Sequence, residues 1–117
     1  MGGEVLALTG NLGSGKTTFI QGLAEGLGIS TRVISPTFIL LRKYSLGEKS
    51  FYHVDLYRLE TGVEKEVVNL GLSDIWGRKD NIVAVEWAEK IRGLVPKGAK
   101  WVIFENLGGD KRKLIIK

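Results

Sequence analysis

The chain has 117 residues, 44% of them hydrophobic, and no apolar run long enough for a membrane-spanning helix, so we expect a single cytoplasmic domain covering residues 1–117. The absence of cysteine excludes a disulfide framework, a thiol nucleophile and a zinc site built on cysteine, and a single histidine excludes a histidine-rich metal centre. The net charge of +4 comes from residues 88–117, which carry eight basic and three acidic side chains and form either a solvated surface or one that faces RNA or another anion.

The first predicted elements are a strand, a glycine turn and a helix. Glu4–Thr9 is a short apolar run that ends at Gly10, which is typical of a strand buried on both faces. Beyond the glycines, apolar side chains spaced at i, i+3, i+4 and i+7 predict a helix with one apolar face, formed by Ile20, Leu23, Ala24 and Leu27. Gly28 stands where a left-handed residue would end that helix.

Two extended segments follow, residues 38–44 and 50–55. The link of residues 45–49 between them has the length of a hairpin loop, so we expect antiparallel neighbours. In the second segment, alternation places two sets of side chains on opposite faces of the strand. The sets are Phe51, His53 and Asp55 on one face, and Tyr52, Val54 and Leu56 on the other.

The second half of the chain predicts one short helix and three strands. Apolar residues at i, i+4 and i+7 indicate the helix, which Gly71 ends: Val63, Val67 and Leu70. The strands are Ile82–Val85, Trp101–Phe104 and Leu114–Ile116. Together with the earlier elements they predict an α/β fold with a mixed parallel and antiparallel sheet.

The segment Gly10–Thr17 matches the phosphate-binding pattern G-x-x-x-x-G-K-[ST] at every fixed position. Glycines let consecutive backbone N–H groups turn inward around an anion, and a helix that starts near Lys16 directs its positive dipole end at the same point. Lys16 can then neutralise the β- and γ-phosphates, and the Thr17 hydroxyl can bind Mg²⁺. The pattern therefore predicts a nucleotide site.

Hydrolysis needs a further carboxylate, because a phosphate-binding loop alone binds but does not hydrolyse. Glu86 is the leading candidate, since it ends a buried strand, and ligands of α/β sheets bind beyond the carboxyl ends of strands. Asp55 ends another strand and is a second candidate. His53 is either a half-buried strand residue or part of the site, and Arg58 can pair with Asp55 or contact a phosphate; the sequence leaves both questions open.

Six motifs, in this order and spacing, resemble the bacterial TsaE (YjeE) family and span nearly the whole chain. They are Gly10-Asn-Leu-Gly-Ser-Gly-Lys-Thr-Thr-Phe19, Leu27-Gly-Ile29, Ser35-Pro-Thr-Phe38, His53-Val-Asp-Leu-Tyr-Arg58, Leu70-Gly-Leu72 and Val85-Glu-Trp87. The resemblance implies a three-layer P-loop NTPase fold. Family members usually have an extra strand and helix before the P-loop strand, which we expect this fold to lack because the chain enters that strand directly after Gly3.

The resemblance also implies a function. Members of the family are small P-loop ATPases that work with TsaB, TsaC and TsaD to make N6-threonylcarbamoyladenosine at position 37 of tRNAs that read ANN codons. They bind the TsaB–TsaD assembly, and their ATP hydrolysis is thought to reset it between turnovers. The expected cofactors are therefore ATP and Mg²⁺, the expected partners are TsaB and TsaD, with tRNA reached through that complex, and no membrane contact is expected.

The resemblance assigns roles to individual residues. The ATP phosphate site comprises Gly13, Ser14, Gly15, Lys16, Thr17 and Thr18. Thr17 and Glu86 would bind Mg²⁺, while Lys16, Asp55 and Glu86 would form the catalytic set. Ser35-Pro36-Thr37 takes the place of a switch-like loop that faces the γ-phosphate, and Lys111 or Arg112 stands where the family has a basic residue close to the nucleotide.

Two alternatives remain open at this stage. A small-molecule kinase shares the P-loop, but it needs an acceptor pocket and usually an arginine-bearing lid, and the chain has no insertion of that length. A nucleotide-binding scaffold without turnover would need only Lys16 and Thr17. Asp74–Gly77 matches the D-x-x-G of GTPases, but no N-K-x-D follows to read guanine, so we regard this match as coincidental.

Overall fold

The computed structural model describes residues 4–10, 16–29, 41–57, 59–108 and 111–117. The elements in those ranges are, in chain order, β1 (Glu4–Gly10), α1 (Lys16–Gly26), β2 (Leu41–Leu46), β3 (Lys49–Asp55), α2 (Val63–Asn69), α3 (Leu72–Ile75), β4 (Asn81–Glu86), a 3-10 helix (Ala88–Ile91), β5 (Lys100–Gly108) and β6 (Lys111–Ile116). Within these ranges, no helix has the length and apolar character to cross a membrane.

The six strands of the described ranges belong to one sheet, in the order β2-β3-β4-β1-β5-β6. The inner strands β3, β4, β1 and β5 run parallel, and the outer strands β2 and β6 are antiparallel to their neighbours. The predicted mixed sheet is confirmed. Because the inner strands are parallel, their carboxyl ends lie together at one margin of the sheet, which is called the carboxyl edge below.

Helices cover both faces of this sheet, which confirms the predicted three-layer arrangement. Under α1, the first core consists of Leu8, Ile20, Ala24, Phe51, Ala84, Val102 and Phe104. On the opposite face, α2, α3 and the 3-10 helix bury Val63, Val67, Leu72 and Ile91 against Val5, Ala7, Val54 and Val85. Burial of each large apolar side chain contributes about 1.5–3 kcal/mol, so the two cores hold the helices firmly against the sheet.

The end of α1 is closed by a left-handed glycine, as predicted. Gly28 has φ 87°, its N–H donates to the Glu25 carbonyl at 3.0 Å, and the Ile29 N–H donates to the Ala24 carbonyl at 3.0 Å. This pair of hydrogen bonds is the Schellman motif, which satisfies carbonyls at the helix end. A residue without a side chain adopts the required φ without steric cost.

The hairpin of β2 and β3 is antiparallel as predicted, but its loop is shorter than residues 45–49. Pairing continues to Leu46 and Lys49, which leaves only Gly47 and Glu48 in the loop. Gly47 has φ 70°, and a left-handed residue in a two-residue loop lets the strands turn without a longer link. Residues 38–40 of the predicted first strand lie outside the described residues.

The predicted short helix is confirmed as α2, with Val63 and Val67 buried. Leu70, the third apolar position used to predict it, is the residue after the helix. Leu70 is 41% exposed, because α2 ends at the preceding residue and the chain turns at Gly71, where φ is 78°. Leu72 is buried instead, as the first residue of α3, a helix too short to leave a periodic pattern in the sequence.

Candidate functional site

The carboxyl edge brings the ends of β1, β3 and β4 together. Glu86, the last residue of β4, pairs in register with Leu8 of β1 on one side and with Asp55 of β3 on the other. β1 ends two residues further on, at Gly10, and α1 begins at Lys16. The candidate carboxylate therefore lies level with the end of the strand that leads into the glycine-rich segment.

Both candidate carboxylates lie on the face of the sheet that α1 covers. Phe51 and Ala84 belong to the core under α1, whereas Val54 and Val85 belong to the opposite core. Because side chains alternate along a strand, the face of Phe51 is also the face of His53 and Asp55, and the face of Ala84 is also that of Glu86. The predicted alternation along β3 is confirmed.

His53 and Glu86 form a buried pair on this face. His53 is fully buried and Glu86 is 3% exposed, and the His53 Nε2 lies 2.7 Å from the Glu86 Oε2. A buried carboxylate without a hydrogen-bond partner strongly destabilises a fold, and the imidazole of His53 can supply that partner. The other ring nitrogen, Nδ1, has no hydrogen-bond partner among the described residues. His53 is therefore fully buried and not half-buried, and its ring contacts the candidate carboxylate Glu86.

Asp55 is half-buried at the end of β3, next to Glu86. Its Oδ1 accepts a hydrogen bond from the Tyr57 backbone N–H at 3.0 Å, which forms a turn immediately after the strand. Adjacent strands are separated by about 4.8 Å, so two acidic residues stand side by side at the carboxyl edge. This concentration of negative charge favours the binding of a cation.

Lys90, in the 3-10 helix after β4, binds the segment that follows β3. Its Nζ donates hydrogen bonds to three backbone carbonyl oxygens, those of Leu56 at 3.1 Å, Tyr57 at 2.9 Å and Leu59 at 2.7 Å. An ammonium group has three N–H donors, so each of them has an acceptor here. This contact fixes the chain beyond Asp55 relative to the chain beyond Glu86.

Trp87 makes the turn that connects β4 to the 3-10 helix. It has φ 61°, and within the described ranges it is the only residue other than glycine with a left-handed backbone. Its ring centroid lies 5.4 Å from that of Tyr57, and the Lys90 Nζ lies 5.5 Å from the Trp87 ring. A bulky residue in this conformation costs about 1–3 kcal/mol, and such strain is concentrated at functional sites. The position directly after Glu86 is therefore consistent with a functional role.

The 3-10 helix is also attached to β1. The Thr9 Oγ1 donates a hydrogen bond to the Glu89 Oε2 at 2.6 Å. The second oxygen of that carboxylate, Oε1, is buried and has no partner in the described part of the chain. Through Glu89 and Lys90, one short helix contacts the end of β1 and the segment after β3.

Other predicted site residues are described only in part. Lys16 and Thr17 are the first two residues of α1, of which only the backbone is described, and Thr18 is exposed behind them. The backbone of Arg112, in β6, pairs with Asn106 of β5 near the carboxyl edge, and β1 and β5 lie between β6 and β4. The remaining predicted positions lie outside the described residues: Gly13, Ser14, Gly15, Thr37 and Arg58. Their roles stay predictions.

The sequence analysis did not identify Lys90 or Glu89. The contacts of Lys90 join residues 31 to 34 positions apart, and that of Glu89 joins residues 80 positions apart, so no local pattern marks either side chain. The sequence signal that could have identified them is their position three and four residues after Glu86, where the chain leaves the sheet at the candidate site.

An open cleft of about 630 Å³ lies at the opposite margin of the sheet. It is lined by Ser50 and Asn81, near the amino ends of β3 and β4, and by Asp74 of α3. The D-x-x-G match of residues 74–77 therefore lies away from the carboxyl edge, which agrees with its interpretation as coincidental.

Comparison with known proteins gives a family match over almost the whole chain. Residues 1–114 match the family model described as "Threonylcarbamoyl adenosine biosynthesis protein TsaE". A Bacillus subtilis protein is 40% identical over 112 residues, which cover 96% of this chain and 68% of that protein. A Borreliella burgdorferi protein is 42% identical over 110 residues, which cover 94% of this chain and 78% of that protein. A Nostoc protein is 46% identical over 92 residues, which cover 76% of this chain and 55% of that protein. All three are named "tRNA threonylcarbamoyladenosine biosynthesis protein TsaE".

The fold has a counterpart among solved structures. The crystal structure of Bacillus subtilis YdiB superposes with a TM-score of 0.73 at 34% identity and covers 97% of this chain and 66% of that one. The chain thus spans roughly half to three quarters of the length of these relatives. These matches do not favour the small-molecule kinase alternative.

Proposed function

The chain belongs to the TsaE family, and from this premise we propose that it is an ATP-binding and ATP-hydrolysing subunit required for N6-threonylcarbamoyladenosine formation at position 37 of tRNAs that read ANN codons. The observation that carries the proposal is the family match over residues 1–114. The names of the relatives state the biosynthetic pathway, and ATP hydrolysis is the part that we add from the P-loop and the carboxylates of the carboxyl edge.

The ATP phosphates would be held where β1 leads into α1. In this proposal the backbone N–H groups of Gly13, Ser14 and Gly15 surround the phosphates, and Lys16 neutralises the β- and γ-phosphates. α1 begins at Lys16, so its positive dipole end adds to the attraction for an anion. Thr18 follows in the first turn and would complete the phosphate contacts.

Thr17 and Glu86 are the proposed ligands of Mg²⁺. Magnesium prefers oxygen ligands and usually takes one or two carboxylates together with phosphate oxygens and water. The described residues contain no group of three His, Cys, Asp or Glu that could hold a metal by themselves, whereas one buried carboxylate at the carboxyl edge suits an ion that the phosphates also bind. When bound, Mg²⁺ would supply positive charge that stabilises the charge developing on the γ-phosphate.

The other site residues would act around this centre. Asp55, held by the Tyr57 N–H beside Glu86, adds negative charge that favours the cation and has a supporting role in hydrolysis. Thr37 belongs to the proposed switch-like loop that faces the γ-phosphate. Arg112 is the proposed basic residue close to the nucleotide.

We propose that the TsaB–TsaD assembly is the partner of this chain and that tRNA is reached through that assembly. The basic surplus of residues 88–117 would contact tRNA or an acidic partner surface, most strongly at low ionic strength. A protein that acts in tRNA modification would work in the cytoplasm. P-loop proteins that depend on a partner for transition-state charge hydrolyse slowly alone, so we expect feeble activity in the isolated chain.

The decisive experiment compares steady-state ATP turnover by the chain alone, by the chain with TsaB and TsaD, and by the chain with TsaB, TsaD and tRNA. We expect turnover to rise about 10³–10⁵-fold in the assembly, the range known for P-loop proteins that receive a group in trans. Equal rates in all three samples would refute the partner-dependent function. Phosphate release without any added small-molecule acceptor would distinguish an ATPase from a kinase.

A further inference from the structure

The buried pair of His53 and Glu86 carries an inference about how the site is positioned. His53 is in the interior of β3, where it is the register partner of Ala84, whereas Glu86 lies two residues further along β4, at the carboxyl edge. The contact of 2.7 Å therefore runs diagonally between neighbouring strands. His53 reaches the carboxylate from a deeper position in the sheet and is itself fully buried.

If Glu86 is ionised, as a ligand of Mg²⁺ is, Nε2 is the ring nitrogen that carries a proton toward it. An ionised carboxylate can only accept a hydrogen bond, so the Nε2–H donates to the Glu86 Oε2. The Nδ1 has no acceptor among the described residues, whereas Nε2 faces one, and buried N–H groups without an acceptor are rare. One oxygen of Glu86 is thereby held by a side chain that is itself fixed in the core.

We propose that His53 is a positioning residue that holds Glu86 through its Nε2–H, so that Oε2 is fixed and Oε1 is presented to Mg²⁺. A glutamate side chain loses rotamer entropy when it is ordered, and a hydrogen bond from a rigid neighbour removes that cost from the binding step. Loss of such a supporting partner typically reduces metal affinity or activity by 10–100-fold. This inference rests on the proposed function, because it assumes that Glu86 serves the metal.

The variants His53→Gln and His53→Asn separate this role from mere packing. Both introduce a buried amide of similar size, but only the longer glutamine can place an N–H near the position of Nε2. Phe51→Leu is the matched control, because Phe51 lies on the same strand and face, two residues before His53. Its replacement weakens the core under α1 and leaves the pair of His53 and Glu86 in place. Steady-state ATP turnover is measured across a range of Mg²⁺ concentrations in the assembled system of the preceding experiment.

We expect His53→Asn to lower turnover by 10–100-fold and to raise the Mg²⁺ concentration needed for half the maximal rate. His53→Gln should recover turnover to within a few-fold of the unaltered protein, and Phe51→Leu should leave the Mg²⁺ dependence unchanged. Equal behaviour of the glutamine and asparagine variants overturns the inference. Glu86→Gln distinguishes the two proposals. If Glu86→Gln hydrolyses ATP normally, the assigned role of Glu86 is wrong. If Glu86→Gln is impaired but His53→Asn is not, the inference about His53 is wrong and the proposed function stands.

A measurement on the unaltered protein keeps the test valid even where a variant does not fold. His53 is the only histidine of the chain, so ¹⁵N-histidine labelling gives the signals of one imidazole. We expect the proton on Nε2 in the protein without nucleotide, and a shift of the Nε2 signal when Mg²⁺ and ATP bind. A proton on Nδ1, or signals that do not respond to Mg²⁺ and ATP, would contradict the inference.

Discussion

Replacing Lys90, a half-buried residue of the 3-10 helix, with methionine should destabilise the fold substantially. Methionine keeps most of the aliphatic length and removes the ammonium group. The change therefore deletes the three hydrogen bonds to the carbonyls of Leu56, Tyr57 and Leu59, and with them the attachment of the segment after β3.

The expected loss follows from the environment of each bond. The bonds to Leu56 and Leu59 are part-buried and the one to Tyr57 is exposed, so only the first two should resist replacement by water. Hydrogen bonds from a charged group contribute about 1.5–3 kcal/mol each. We count the two part-buried bonds and take about half of their sum, because water can partly replace the lost ammonium group as a donor to these carbonyls. The contact with the Trp87 ring adds about 0.5–1 kcal/mol. The free energy of unfolding should fall by about 3 kcal/mol.

Urea unfolding followed by circular dichroism measures this change. With an m-value of about 2 kcal/mol/M, the midpoint should fall by about 1.5 M. Lys97→Met, at an exposed lysine, is the control and should change the free energy by less than about 0.5 kcal/mol. If the midpoints of the two variants agree, the reasoning about the three carbonyls is wrong. Lys90→Arg, which retains the charge, should remain impaired because a planar guanidinium does not match three carbonyls arranged around one nitrogen.

Lys16→Ala should lower ATP affinity by at least about 100-fold while leaving the urea midpoint unchanged, because its proposed role is contact with the phosphates; unchanged affinity in calorimetry would exclude the P-loop assignment. Gly28→Ala and Gly22→Ala should have opposite effects on the urea midpoint. An added Cβ meets no atom within 4 Å at either position, but Gly28 has φ 87° and Gly22 is in the interior of α1. We expect a loss of about 1–2 kcal/mol at Gly28 and a gain of about 0.5–1 kcal/mol at Gly22, and effects of the same sign would contradict the backbone argument.

Much of this fold is predictable because the signals are local. The buried run of β1 and the apolar face of α1 follow from residues a few positions apart, and the alternation along β3 correctly places His53 and Asp55 on one face. Glycine contributes in the same way: Gly28 ends α1 where the sequence predicts it. The same reasoning places Glu86 at the carboxyl edge before any tertiary contact is known.

The remaining features depend on distant residues or on very short elements. The burial of Leu72 follows from the tertiary position of α3, which contains only four residues and leaves no period to detect. The hairpin loop of β2 and β3 is shorter than predicted because strand pairing continues through positions whose side chains carry no β signal of their own. The partners of His53 and Lys90 are visible only once the strands are assembled.

These long-range contacts also limit how the site can change when a partner binds. The 3-10 helix is connected to β4 through Trp87, to β1 through the bond from Thr9 to Glu89, and to the segment after β3 through Lys90. A movement of Glu86 relative to Asp55 would break the contact of His53 or those of Lys90, at a cost of several kcal/mol. The ends of these three strands should therefore behave as one rigid unit. If the TsaB–TsaD assembly accelerates hydrolysis, we expect it to act by adding or ordering groups around this unit and not by separating its two carboxylates.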